Sequence, residues 1–213
     1  MERDLHGYRV NSEFPSGFSS FIESWFDVIY DYEKNTRFGR ERGDSIYWYN
    51  ERANVGAFAS ALSRNKASVI EEYTCRKGVG ADNGLGRADI SFFYDNEWYL
   101  AEAKIHWKKL SPRSKISFDN KLLSSSLMDA NRSWHRDTGT IALGLNFVVP
   151  SIHPSYKNDI TEYVKDCIAQ LEETNPCGFW AYCAPGRLRD LQSSNDEKNY
   201  FPMVIMLGEK CNP

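Results

Sequence analysis

Apolar positions early in the chain recur at spacings of three and four. Phe18, Phe21, Ile22, Trp25, Phe26, Ile29 and Tyr30 fall on one stripe at that spacing, after Ser16. The pattern predicts an amphipathic helix with a wide buried face, capped by Ser16. Residues 1–16 carry Gly7 and Pro15 among mixed polar residues and predict an irregular lead-in. Residues 33–43 are strongly charged, with Arg37, Arg40 and Arg42 close together, and predict a solvated connection. A second helix follows from Tyr49 or Asn50 to about Asn65, with Val55, Phe58, Ala59 and Leu62 on one face. Glu51 falls in its first turn, where a carboxylate interacts favourably with the helix dipole.

The period then changes to that of strands. Residues 68–76 are β-rich, and the alternation places Glu71 and Glu72 on opposite faces. Residues 86–107 hold two aromatic and β-branched runs separated by Asp95-Asn96, the composition of a β-hairpin. Residues 118–134 predict a helix with Leu122, Leu123, Ser126, Leu127 and Ala130 inward and Lys121, Asp129 and Arg132 available to solvent or substrate. Residues 139–149 are a near-continuous apolar run stopped by Pro150, as expected for a strand covered on both faces. A helix over 159–174 and strands over 179–183 and 201–207 complete the pattern, with a polar loop over 185–199 between those strands. The order predicts an α/β protein with a central mixed β-sheet flanked by helices. It fits one domain over residues 1–213, with an N-terminal helical segment at about 17–66.

If Asp95 and Asn96 are the turn, the register pairs Tyr94 with Glu97, Phe93 with Trp98, Ser91 with Leu100 and Asp89 with Glu102. Lys104, two residues from Glu102, projects on the same face. Directly opposed carboxylates destabilise a strand pair, so the face requires a compensating cation. A divalent ion such as Mg²⁺, which takes one or two carboxylates plus waters and phosphate oxygens, satisfies that need. So does Lys104 itself, as the neutraliser of two solvated carboxylates, and the residues alone leave both readings open. The glycine-rich stretch 78–86 invites a phosphate-cradle reading, but it lacks Gly-Lys-Ser/Thr and leads into a strand, so no helix N-terminus is available to an anion.

Composition narrows the partners. The net charge of −3 gives no overall pull towards nucleic acid, so any such site must be a local patch. One exists: Lys104, Lys108, Lys109, Arg113, Lys115 and Lys121 place six basic residues before Leu122, a phosphate-tracking segment in composition. Five scattered cysteines match no zinc spacing and read as reduced thiols in a cytoplasmic protein. No window approaches the ~20 apolar residues of a membrane span. His6, His106, His135 and His153 form no metal-binding spacing. His106 shares the strand face of Glu102 and Lys104 and reads as a residue of its rim.

Gly86-Arg-Ala-Asp89, twelve intervening residues and Glu102-Ala-Lys104, after a helix bearing Glu51, resemble the PD-(D/E)xK nuclease superfamily. Ala88 departs from it, standing where the family name has Pro. The resemblance implies a restriction-endonuclease-like fold and hydrolysis of phosphodiester bonds, with DNA the expected partner. It implies Asp89, Glu102 and Lys104 as catalytic residues, Lys104 serving to activate or orient the attacking water. Asp89, Glu102 and Glu51 become ligands of Mg²⁺, for which Mn²⁺ is expected to substitute. Glu71 and Glu72 remain rivals to Glu51 as the third carboxylate, and a homodimer is left open. The alternative function is a non-catalytic nucleic-acid-binding or protein-interaction module on the same fold.

Overall fold

The computed structural model describes residues 4–36, 43–78, 84–112, 114–133, 139–187, 191–193 and 196–211. Its strands are β1 (Leu5–Val10), β2 (Ser68–Lys77), β3 (Gly84–Tyr94), β4 (Glu97–Leu110), β5 (Ile141–Ile152), β6 (Phe179–Ala184), β7 (Gln192–Ser193), β8 (Asp196–Tyr200) and β9 (Val204–Lys210). Its helices are α1 (Phe18–Asn35), α2 (Glu51–Arg64), α3 (Asn120–Ser133) and α4 (Ile160–Thr174). The strands form one mixed sheet in the order β1-β6-β9-β5-β4-β3-β2, with β8 at the end of β5 and β7 on β8. Among the described residues β4 and β5 are the one parallel pair, from Tyr99↔Ile141 to Leu110↔Ile152. A parallel pair needs a long crossover, and α3 lies in it.

Strand alternation sorts side chains into two cores. Ala101 and Ala103 of β4, Leu143, Leu145 and Phe147 of β5, and Val204 and Met206 of β9 pack under the apolar stripes of α1 and α2. Val148 and Ile152, Ile205 and Leu207, and Trp180 of β6 face the other way, against Leu122 and Leu123 of α3 and Ile160, Val164, Cys167 and Leu171 of α4. The result is three layers, with the sheet buried on both faces as its apolar runs predict. Phe92 and Tyr99, paired across the hairpin, stack at 4.7 Å beneath Phe18. Among the described residues no helix is long and apolar enough to cross a membrane.

Several local expectations are overturned. Residues 5–10 form β1, paired with β6, where an irregular lead-in was expected. Gly7 argued against a strand, but it is required there: a Cβ would come within 2.7 Å of the Tyr182 hydroxyl on β6. Ser16 is not the helix cap; α1 begins after Gly17 with no side-chain cap bond, and a Cβ at Gly17 would collide with the Tyr94 phenol. The same helix runs on to Asn35, which buries Glu33 where a solvated connection was expected. Strand β5 passes through Pro150. The β9 ladder has already ended at Val148, so beyond it β5 has one long partner, a position where a missing N–H is tolerated. The loop expected over 185–199 contains β7 and β8. Arg37, Arg40 and Arg42 lie outside the described residues.

Candidate active site

The hairpin turn is as the sequence predicts. Asp95 and Asn96 have φ of 51° and 65°, the two left-handed residues of a type I′ turn. Tyr94↔Glu97, Phe93↔Trp98 and Ser91↔Leu100 hold in the predicted register. The ladder then stops at Ile90↔Ala101, one pair short of Asp89 and Glu102. At the same level β2 is disturbed. Glu72 is skipped between Glu71↔Ile90 and Tyr73↔Ala88, with φ of 52°.

Beyond this split, the edge of β4 towards β3 is taken up by carboxylates instead of a strand. Asp89 Oδ2 accepts the Ala103 N–H at 2.7 Å. One step along, Glu51 Oε2 accepts the Ile105 N–H at 3.2 Å. Glu51 is delivered there as the first residue of α2, whose N-cap Asn50 accepts the Ala53 N–H. Asp89, Glu51, Asn50 and Arg52 line a cleft of about 570 Å³ together with Glu71 and Glu72. The expectation that Glu71 and Glu72 point to opposite faces is therefore corrected, because the left-handed Glu72 breaks the alternation. Its carboxylate meets Arg52 of α2 at 2.6 Å, while Glu71 Oε2 lies beside Gly56 of the same helix.

Glu102 and Lys104 project towards α3. Glu102 is 3% exposed; its Oε1 accepts the Ser133 hydroxyl at 2.7 Å and lies 2.7 Å from the Lys77 ammonium. Lys104 Nζ lies 3.0 Å from Asp129 Oδ2. Thus the two carboxylates expected to face each other are not a ladder pair, and each has its own partners: Asp89 the Ala103 amide, Glu102 the Lys77 ammonium and the Ser133 hydroxyl.

The site is short of positive charge. Burial raises the Glu51 carboxyl above its usual range, Lys104 and the Ile105 amide pull it down, and Asp89 and Glu102 push it up. Burial raises Glu102 as well, against Lys77 and Ser133 and with the repulsion of Asp89. For Lys104 burial works against the charge, yet Asp129, Glu51 and Asp89 together hold it above the ordinary lysine value. Lys104 is an ammonium at neutral pH, a donor and not a base. Among the described residues no three His, Cys, Asp or Glu converge closely enough to hold a metal as they stand. The donors nonetheless suit a hard divalent cation in kind: Asp89, Glu51 and Glu102 are oxygen ligands whose mutual repulsion a cation relieves.

A relay supports the next residue on this face. Asn146 of β5 and Ser126 of α3 are fully buried. The Ser126 hydroxyl donates to the Leu123 carbonyl and so accepts from Asn146 Nδ2 at 2.5 Å. That turns the Asn146 oxygen towards His106 Nε2, 2.8 Å away, so that the Nε2 N–H donates to it. Gly144 admits α3 to this depth, since a Cβ there would come within 2.8 Å of Ser126 Oγ. His106 also lines a groove of about 480 Å³ with Lys108, Lys109, Lys115 and Lys121. Four of the predicted basic residues are therefore brought together, while Arg113 lies outside the described residues.

Lys77, Ser133 and the Ser126–Asn146 relay escaped the sequence reading. Only Asn146 carried a signal, as the one amide in the apolar run of β5. No family model, no curated protein and no solved structure matches the chain.

Proposed function

We propose that this chain is a nuclease of the restriction-endonuclease-like kind, hydrolysing phosphodiester bonds in DNA with Mg²⁺, or Mn²⁺ in its place. One observation carries the reading: Asp89 and Glu51 sit on consecutive open amides of β4, beside Glu102 and Lys104. Asp89, Glu51 and Glu102 are the residues that would hold the ion. A divalent cation held there would polarise a phosphoryl oxygen and lower the pKa of a bound water. Lys104, held as an ammonium, donates to a phosphoryl oxygen or to the attacking water and stabilises charge developing at phosphorus. Along β4 every second side chain advances about 7 Å, so Lys104 and Lys108 present ammonium donors in a row, with His106 between them. The groove of Lys108, Lys109, Lys115 and Lys121 continues that row for a phosphate backbone. The alternative, a binding module without catalysis, draws support from Glu102, whose Oε1 is engaged by Lys77.

The experiment incubates the purified protein with plasmid, linear and single-stranded DNA and with RNA, in Mg²⁺, Mn²⁺ or EDTA. Cutting is expected with either metal and not in EDTA. Asp89→Ala and Lys104→Ala are each expected to lower the rate about a hundredfold or more. Wild-type protein that binds DNA in Mg²⁺ without cutting it establishes the binding module instead. Variants that cut as fast as wild type overturn the site.

A further inference from the structure

Lys77 has no part in the chemistry assigned above, yet it is the cation nearest Glu102. It ends β2, and its ammonium lies 2.7 Å from Glu102 Oε1, the oxygen that also accepts from Ser133. Its stem reaches there by crossing β3 at Gly86. A Cβ at that position would come within 2.7 Å of Lys77 Cδ and 2.8 Å of Cγ. Glycine at 86 is thus the passage through which Lys77 enters the site. Lys104, the lysine expected beside Glu102, is engaged by Asp129 instead. The Lys77 side chain is 32% exposed, so its ammonium has a path back to water on a flexible stem.

We propose that Lys77 is the resident counter-ion of the metal site: it holds Glu102, competes with the divalent ion for it, and withdraws as the ion binds. The inference rests on the nuclease reading, in which Asp89 and Glu102 are ligands. Two facts carry it. A carboxylate buried to the extent of Glu102 needs a paired cation, and Lys77 supplies one. The same pairing occupies Glu102 Oε1, an oxygen the ion would need, and no three carboxylates converge among the described residues. Lys77 is therefore a positioning residue. It keeps the buried carboxylate neutralised when no ion is bound, and it lowers metal affinity by competing for Glu102.

Mn²⁺ is titrated calorimetrically into wild type, Lys77→Met, Gly86→Ala and Asp89→Asn, and each melting temperature is measured with and without Mn²⁺. Lys77→Met is expected to tighten Mn²⁺ binding about tenfold, a difference of about 1.4 kcal/mol. It is also expected to melt below wild type without Mn²⁺ and to recover the deficit at saturation, because the ion replaces the missing ammonium. Gly86→Ala keeps the charge but displaces the stem, so it is expected to tighten binding too, by a smaller factor. This variant decides the matter alone if Lys77→Met does not fold. Asp89→Asn is expected to abolish binding. If it does so while Lys77→Met and Gly86→Ala leave the dissociation constant unchanged or weaker, Lys77 is a structural tie and the inference falls with the metal site intact. If neither wild type nor the Lys77 and Gly86 variants bind Mn²⁺, the nuclease reading itself fails.

Discussion

A glutamate in the first turn of a helix is ordinarily solvated, whereas Glu51 is half-buried. Its carboxylate is drawn off the helix end onto the Ile105 amide, where burial and the charges of Asp89 and Glu102 work against ionisation. Its pKa is raised in the fold, so folding favours proton uptake in the window just above the ordinary carboxylate value. The destabilisation is complete above the raised value and disappears as pH falls through that window. Glu51→Gln keeps an acceptor for the amide and removes the charge. We expect it to melt above wild type at neutral pH, with the difference fading as the solution is acidified, and to lose metal binding. A variant that melts below wild type at neutral pH would show instead that attraction to Lys104 and the helix dipole dominates. Residue types of the site were legible in the sequence because Asp89, Glu102 and Lys104 belong to one hairpin with a readable turn. Lys77 was not, because only folding brings a residue at the end of β2 to that hairpin.

At the level of elements, the turn and the split act together. The type I′ turn sets which residues of β3 and β4 meet, and the split at Ile90↔Ala101 opens the amides that Asp89 and Glu51 occupy. Asn96, at φ 65°, is the place to test the turn. Asn96→Val puts a β-branched residue in the left-handed region and is expected to cost about 1–2 kcal/mol, measured by urea denaturation, whereas Asn96→Gly is expected to leave stability unchanged or raise it. Equal stability of the valine variant would mean that the turn does not hold the register. The turn was visible as two polar residues between aromatic runs. The split was not, since it depends on the left-handed Glu72 of a neighbouring strand and on the approach of α2. Strands β1 and β8 were hidden for a related reason: short edge segments take their conformation from a partner strand more than from their own composition.

For the molecule as a whole, the broad architecture followed from the order of periodic segments, and the helices fell on both faces of a mixed sheet as that order predicts. The arrangement of strands could not be read, because pairing partners are far apart in the chain. The nuclease reading adds a reason to attend to that arrangement. Strand β9 is inserted between β5 and β6, with Val204 and Met206 in one core and Ile205 and Leu207 in the other. A chain shortened to end before Val204 is expected to lose cooperative urea unfolding altogether; a sharp two-state transition in that chain would contradict the central role of β9. During synthesis, the half of the sheet that carries Asp89, Glu102 and Lys104 is therefore separated from the half built on β1 and β6 until residues 204–210 have left the ribosome. Under the proposed nuclease function, the site would gain the support of the whole sheet only once that strand has been translated.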